Sequence, residues 1–546
     1  MRDRSVVRRG SVRRGWLAML AVAAFAAAVS ACLPGPDPGS GQEPGNDPGA
    51  QPVPHQDFVS RPDLLPPAVR LTEGPAWSDE HAIAGQFTFL TPNYGTETPS
   101  DGAVILDAHG ELVWMSPSRE DVEDDEYFDL RVQAYRGEPV LTVYRGTSEQ
   151  GRGDGEILVL DGSYEEIARV TTGGSLGPGQ ADFHDSTITP EGTMLIGAYV
   201  VTPADLGEVG GPRHGYVEDA VIQEVDIATG EVRFEWSALD HVPLTETVLD
   251  FAREQAEVAE EAAEEGTQAR RLGTRDEPFD YFHINSIAED RDGALLVSAR
   301  HTSAVYRIER GTGEVDWTLG GSAGDFRMGE GASFAWQHDA RRAPDGTLTL
   351  LDNHAGGHED DASSRGLRLA LDEEAMTAEV VTEYLPPAER KASSMANAQQ
   401  LPDGGMHIGW GARPFYSRYT PDGELVVDTC HGDECYGEGY EGGGGSYRAY
   451  AFDWEGRPAS DPDVAVRQED GGRIAYASWN GATEVAQWRL LAGADRGGAV
   501  QQATVARDGF ETAIPVTGQD PYLAVEALDA DGQVLGTATP AAERGG

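Results

Sequence analysis

Histidine is the side chain that most readily serves as base, nucleophile or metal ligand near neutral pH. Three of the 13 histidines in this chain stand at one place in a repeated pattern. His338 opens "HDARRAPDGTLTLLDN", where a PDG turn separates two runs of strand character. His338 lies eight residues before the turn glycine Gly346, and His184 lies eight before Gly192. His283 lies ten before Gly293, in a turn two residues longer. Polar groups cluster around them: Asn285 two residues after His283, Arg300 at the end of the next strand, and Asp339 and Arg341 after His338. Three imidazoles in register suit a metal site, or nucleophilic catalysis on an anionic group with histidine as acceptor. The arginine favours the second, because a guanidinium repels a cation but matches a tetrahedral oxyanion in a bidentate way. No carboxylate-rich loop has calcium-site spacing.

Equivalent positions converge only if the surrounding elements repeat in space. Five units of strand, tight turn and strand begin at Phe128, Phe183, Phe282, Trp336 and Met395. Further strands such as "SAVYRIERGTGEVDWTLGG" bring each to about four strands, the content of a β-propeller blade. "GAVILDAHGELVWM" near 103–115 supplies two outer strands without an inner pair, and completes a sixth blade if the two ends of the ring join. The expectation is an all-β chain: a six-bladed β-propeller over 58–458, with five or seven blades as alternative counts. Its innermost strands line the central channel, so His184, His283 and His338 should meet at one end of it. Residues 244–272 carry strong helix formers and read as an exposed helical insertion. Residues 459–546 alternate as strands with a Trp pair and read as a fibronectin-III-like or immunoglobulin-like β-sandwich.

"YFHINSIAEDRDGALLVSARHTSAVYRI", "WQHDARRAPDGTLTLLDN" and "QQLPDGGMHIGWGARPFYSRY" resemble the bacterial and fungal arylsulfotransferases, six-bladed propellers that need no nucleotide sulfate donor. The resemblance covers roughly 70–430. It implies His338 as the nucleophile that becomes transiently sulfated. His283 and Asn285 in "HIN" would hold the sulfuryl group, Arg300 in "SARH" would grip its oxygens, and His184 in "FHDS" would be the remaining histidine. The implied substrates are a small-molecule aryl sulfate donor and a phenolic acceptor, with no cofactor and no metal. Trp336 and Trp410 could keep the pocket dry. The Asp-Ala-Arg-Arg run after His338 departs from the family pattern. His354 and His358 lie in an acidic loop that reads as solvated. Two other classes stay open: a non-catalytic cell-surface propeller that binds a partner, and a three-His metal-dependent hydrolase or lyase.

The remaining signals concern location. Residues 1–32 combine a basic start, the apolar "LAMLAVAAFAAAV" and "VSAC", which resembles a lipoprotein signal ending at a lipidated Cys32. "RRGWL" loosely resembles a twin-arginine signal. Residues 33–57 are Pro, Gly and acid and read as a disordered tether. The expected location is exported and lipid-anchored to the cell envelope, with no other membrane contact. Cys430 and Cys435 should close a small disulfide loop in an exported protein, with a Cys/His431 metal site as the outsider. A net charge of −52 speaks against nucleic acid. The sequence leaves monomer and homodimer both open.

Overall fold

The computed structural model describes residues 55–78, 86–93, 102–116, 126–149, 151–264, 270–354, 363–432, 435, 445–469 and 471–540. The leader, Cys32, most of the expected tether and His358 lie outside these residues. Among the described residues the chain forms six sheets of four or five mostly antiparallel strands and two further sheets of three and four strands. The innermost strands of the six are Gly445–Phe452, Glu126–Tyr135, Ser186–Ile188, Ile284–Glu289, His338–Arg342 and Asn397–Gln400. This is the six-bladed propeller. Its ring closes as the sequence suggests: the inner strand Gly445–Phe452 comes from the far end of the chain. It pairs with Phe87–Asn93, which leads into Val104–Leu106 and Leu112–Met115. A second clasp runs the other way, where Arg70–Glu73 adds a fifth, outer strand to the last blade by pairing with Leu425–Cys430.

Apolar alternation drives these sheets together. Between the third and fourth blades, Ile222, Trp236, Phe282, Val297 and Tyr306 share one core. The turn glycines have the left-handed backbone that a tight hairpin requires, as at Gly346 with φ 89°. A less readable feature recurs where the inner strands begin. Pairing slips between Phe128 and Arg131, between Ile284 and Ser286, and between His338 and Arg341. At or just before each slip a residue other than glycine is left-handed: Asp129 (φ 56°) and Asp339 (φ 56°) within it, and His283 (φ 57°) one residue ahead of it. Such bulges re-aim side chains and concentrate near functional sites.

The insertion contains the helix Phe251–Glu264, anchored by Phe251 against Phe279 with ring centroids 5.2 Å apart. Beyond the ring, one sheet holds Asp463–Glu469, Gly472–Ser478 and Glu511–Val516. The other holds Val500–Ala506, Gln487–Gly493, Tyr522–Leu528 and Val534–Ala538. Trp488, Leu490, Ile514 and Val525 fill the core between them, giving the C-terminal β-sandwich. It is fastened to the propeller by Asn480, whose amide pairs with both Met115 main-chain groups at 2.9 and 3.0 Å. The last three residues of the expected tether are not free. Gln56 donates to the Gly110 carbonyl at 3.0 Å and accepts from Leu112 N–H at 3.2 Å, so His55–Asp57 belong to the folded body. Cys430 and Cys435 form a disulfide, with Cα atoms 5.6 Å apart.

Candidate active site

His184, His283 and His338 each stand at the entrance of an inner strand, and all three are buried. The His184 and His283 rings lie 4.8 Å apart, edge to face. Asn285, wholly buried, ties the next blade in by donating from Nδ2 to the Gln337 carbonyl at 2.7 Å, one residue from His338.

Each imidazole has its Nδ1 held. His184 donates from Nδ1 to Asp182 Oδ2 at 2.6 Å, and His283 donates to Asp280 Oδ2 at 2.5 Å. A carboxylate only accepts, so the hydrogen in both rings sits on Nδ1. His338 has no acid upstream and uses Asn353 instead. Its Nδ1 is 2.8 Å from Asn353 Oδ1 and 3.1 Å from the Trp336 carbonyl. The amide orientation of Asn353 is fixed, because its Nδ2 donates to the carbonyls of Ala392 (2.9 Å) and Met395 (3.1 Å). At the other ring nitrogen of His338, the Met395 N–H points at Nε2 from 3.2 Å. Two acceptors at Nδ1 and a donor at Nε2 assign one tautomer: hydrogen on Nδ1, lone pair on Nε2. Burial, reinforced by the Arg300 charge, pushes the His338 pKa well below its ordinary value. Burial likewise pushes His283 down to about 3. Both are neutral at physiological pH.

Arg300 follows the strand Leu295–Ala299, and its guanidinium carbon sits over the Trp336 ring, 4.2 Å from its centroid. It donates to His301 Nε2 at 2.8 Å and to the Ser393 carbonyl at 3.3 Å. Trp336 is half-buried at the site. Trp410 is fully buried, donates to Ser417 Oγ at 2.7 Å and packs with Leu351, Tyr384 and Ile408 in a blade core. His354 is held by Asp352 at 3.0 Å.

Among the described residues, the group whose ligand atoms could share an ion is Asp280, His283 and His301, within 4.8 Å of one another. It is not the trio of His184, His283 and His338. Arg300, hydrogen-bonded to His301, puts a fixed positive charge beside that group, which opposes a cation.

Sequence reasoning missed the groups that hold the site: Asp182, Asp280, His301, Asn353 and a buried ion network at the propeller axis. In that network Arg448, wholly buried, donates to Asp129 Oδ1 (3.0 Å), Asp185 Oδ1 (3.2 Å), Tyr450 Oη (2.9 Å) and the Asn285 carbonyl (2.6 Å). Arg131 donates to Asp185 Oδ1, and Arg341 to Asp185 Oδ2, both at 2.7 Å. Arg341 also binds Asp339 at 2.8 Å. Burial raises Asp129 to about 6 despite Arg131 and Arg448. Burial opposes the Asp185 charge too, but Arg341, Arg131 and Arg448 together outweigh it and hold that carboxyl below its ordinary range.

No curated protein matches the chain. Among solved structures, it is similar to a protein of unknown function from Bacteroides caccae (12% identity, TM-score 0.37, covering 68% of this chain and 99% of that one). It is also similar to a periplasmic gluconolactonase from Pseudomonas aeruginosa (12%, TM-score 0.32, 79% and 99%). A third is virginiamycin B lyase from Staphylococcus aureus (10%, TM-score 0.28, 66% and 99%). Similarity this loose carries no functional argument. The family model described as Arylsulfotransferase (ASST) matches residues 131–432, more than half of the chain and a span that includes all five candidate site residues. The chain belongs to the arylsulfotransferase family.

Proposed function

We propose that this protein moves a sulfuryl group from a phenolic sulfate ester to a phenolic acceptor through a sulfohistidine at His338. The observation that carries this reading is the double assignment of the His338 tautomer. A neutral imidazole with its lone pair on Nε2 is the form that attacks sulfur. In the first half-reaction Nε2 forms a bond to sulfur, the bond from sulfur to the aryl oxygen breaks, and the phenoxide leaves. In the second, a phenol oxygen attacks sulfur and the N–S bond breaks. Arg300 offers fixed positive charge to the sulfuryl oxygens, and Asn285 stands beside His338 to hold the group. The Met395 N–H, already aimed at Nε2, is placed to pass to a sulfuryl oxygen once Nε2 is occupied. His184 suits the proton: Nε2 takes it from the incoming phenol, Asp182 stabilises the imidazolium, and the next departing phenoxide receives it back. His283, pushed down to about 3, acts as a neutral positioning ring. The leader and Cys32 support an exported protein, lipid-anchored to the cell envelope. The donor and acceptor it meets are then small phenolic molecules outside the cytoplasm.

The test is direct. Protein quenched with donor alone, under non-acidic conditions that spare the N–S bond, should gain one sulfuryl group on the peptide containing His338. His338→Asn should lose both adduct and transfer while keeping its melting temperature. Transfer that persists in a folded His338→Asn variant, with no adduct in the unaltered protein, overturns the assignment.

A further inference from the structure

We propose that His301 is a positioning residue that aims the Arg300 guanidinium at the sulfuryl site without touching the substrate. This rests on the sulfuryl-transfer reading and extends it to a residue that reading does not use. An arginine side chain has donors only. His301 Nε2, 2.8 Å from Arg300 Nη1, is therefore an acceptor. The His301 hydrogen sits on Nδ1, where the Asp280 carbonyl accepts it at 2.7 Å. The tautomer of His301 is thus fixed from both sides, as in His338.

The consequence is geometric. The Ser393 carbonyl accepts from Nη2 at 3.3 Å, and the Trp336 face lies 4.2 Å below the guanidinium carbon. That contact holds the guanidinium carbon over the indole but does not by itself aim its N–H groups. His301 and Ser393 set where they point. Asp280 then serves two positions at once: its carboxylate orients His283, and its main-chain carbonyl orients His301. His301 is itself pinned, since its own carbonyl accepts from Val248 N–H at 2.8 Å and Thr247 Oγ1 at 3.1 Å. Both donors belong to the insertion between the third and fourth blades. A misplacement of about 1 Å at a reacting centre costs on the order of a hundredfold in rate.

The experiment is a double-mutant cycle on the full chain, measuring kcat/KM for transfer from 4-nitrophenyl sulfate to phenol. His301→Phe keeps a ring against Trp336 and His283 but has no acceptor. It should lower kcat/KM on the order of a hundredfold. His301→Gln, whose amide can accept from Arg300 and donate to Asp280, should stay within about tenfold of the unaltered protein. In an Arg300→Ala background, His301→Phe should cost nothing further, because the residue acts only through Arg300. Losses that simply multiply in the double variant would overturn the proposal. So would a folded His301→Gln that falls as far as His301→Phe. If His301→Phe does not fold, His301→Leu, which also lacks an acceptor, takes its place in the cycle and decides by the same rule. If the unaltered protein shows no transfer, the sulfuryl reading fails separately. The cycle is then read on inorganic sulfate binding by calorimetry, where additive losses or no binding sink this proposal too.

Discussion

Replacing Asn353 by aspartate changes one neutral acceptor into a charge at the nitrogen that defines the nucleophile. Asn353 Oδ1 lies 2.8 Å from His338 Nδ1. At that separation and an effective dielectric near 20, a carboxylate and an imidazolium attract by about 6 kcal/mol. That is a ceiling of about 4 pH units on the His338 pKa. Burying the new charge opposes the gain, and opposite charges at this range typically shift a pKa by about 1–3 units. The sign follows. In the unaltered protein burial and Arg300 keep His338 unprotonated well below its ordinary value, so its lone pair survives into acid. In Asn353→Asp the imidazolium is favoured, and the acid limb of kcat/KM for aryl sulfate should move up by about 1–3 pH units. Aspartate also loses the two donations to the Ala392 and Met395 carbonyls, which costs about 1–3 kcal/mol for each carbonyl left unmet. Asn353→Ala separates the effects: it should lower the rate at every pH and never move the limb up, because the Asn353 hydrogen bond favours the protonated ring and its loss lowers the His338 pKa further. The assay is release of 4-nitrophenol across pH 4.5–8.5 in about half-unit steps, quenched to alkali before reading. Matching profiles for the Asp and Ala variants would refute the placement of His338 Nδ1 as the control point.

Two further outcomes concern stability. Arg448→Met should destabilise by about 3–5 kcal/mol, because it removes a buried cation that Asp129 and Asp185 share with their other arginine partners. The loss should be larger at pH 8 than at pH 6, since Asp129, already raised to about 6, can escape by taking up a proton; denaturant melts at the two pH values check this, and equal losses refute it. His283 and His407 are pushed down to about 3 and His431 to about 4, all by burial, from an ordinary value of 6.5. The unfolded chain binds protons there that the fold does not, so stability should fall steadily as pH drops from about 6.5 towards 4. Thermal melts that stay flat over that window would contradict it.

The sequence shows the ring through its turns, and shows the site through histidines counted from turn glycines. Both depend on short-range spacing, which survives when blades diverge. The acids behind His184 and His283 were equally readable: "DFHD" and "DYFH" each carry an aspartate just upstream. His338 breaks that pattern with Ala335, Trp336 and Gln337, and its partner comes from across the hairpin. Since His338 pairs with Leu351, a residue two further on could reach back, and Asn353 does. The left-handed residues at the bulges have no local signature, because aspartate and histidine there look like any other polar residue. Arg448 is illegible for another reason. Its partners Asp129, Asp185 and Asn285 come from three other blades, 163 to 319 residues away. Only the closed ring brings them together.

The dipeptide His-Asp links the two layers. At two strand entrances the histidine is followed by a residue that turns to the ion network, and at 338–339 the left-handed backbone of Asp339 within the bulge makes that turn. At 184–185 and 338–339 the next residue is an aspartate, and both join the arginine network at the axis. Three aspartates, 129, 185 and 339, face three arginines, 131, 341 and 448, in this network. Formally the charges cancel. A buried layer of balanced charge adds little net field to the pocket, and leaves Arg300 as the cation set over the nucleophile. The same layer fixes the backbone of Asn285 through Arg448, on the strand that closes the ring. Closing the propeller and aligning His283, Asn285 and His338 are therefore one event. An open ring would hold each histidine on its own blade, with neither the burial that keeps His283 and His338 neutral nor the geometry that lets one nitrogen face sulfur.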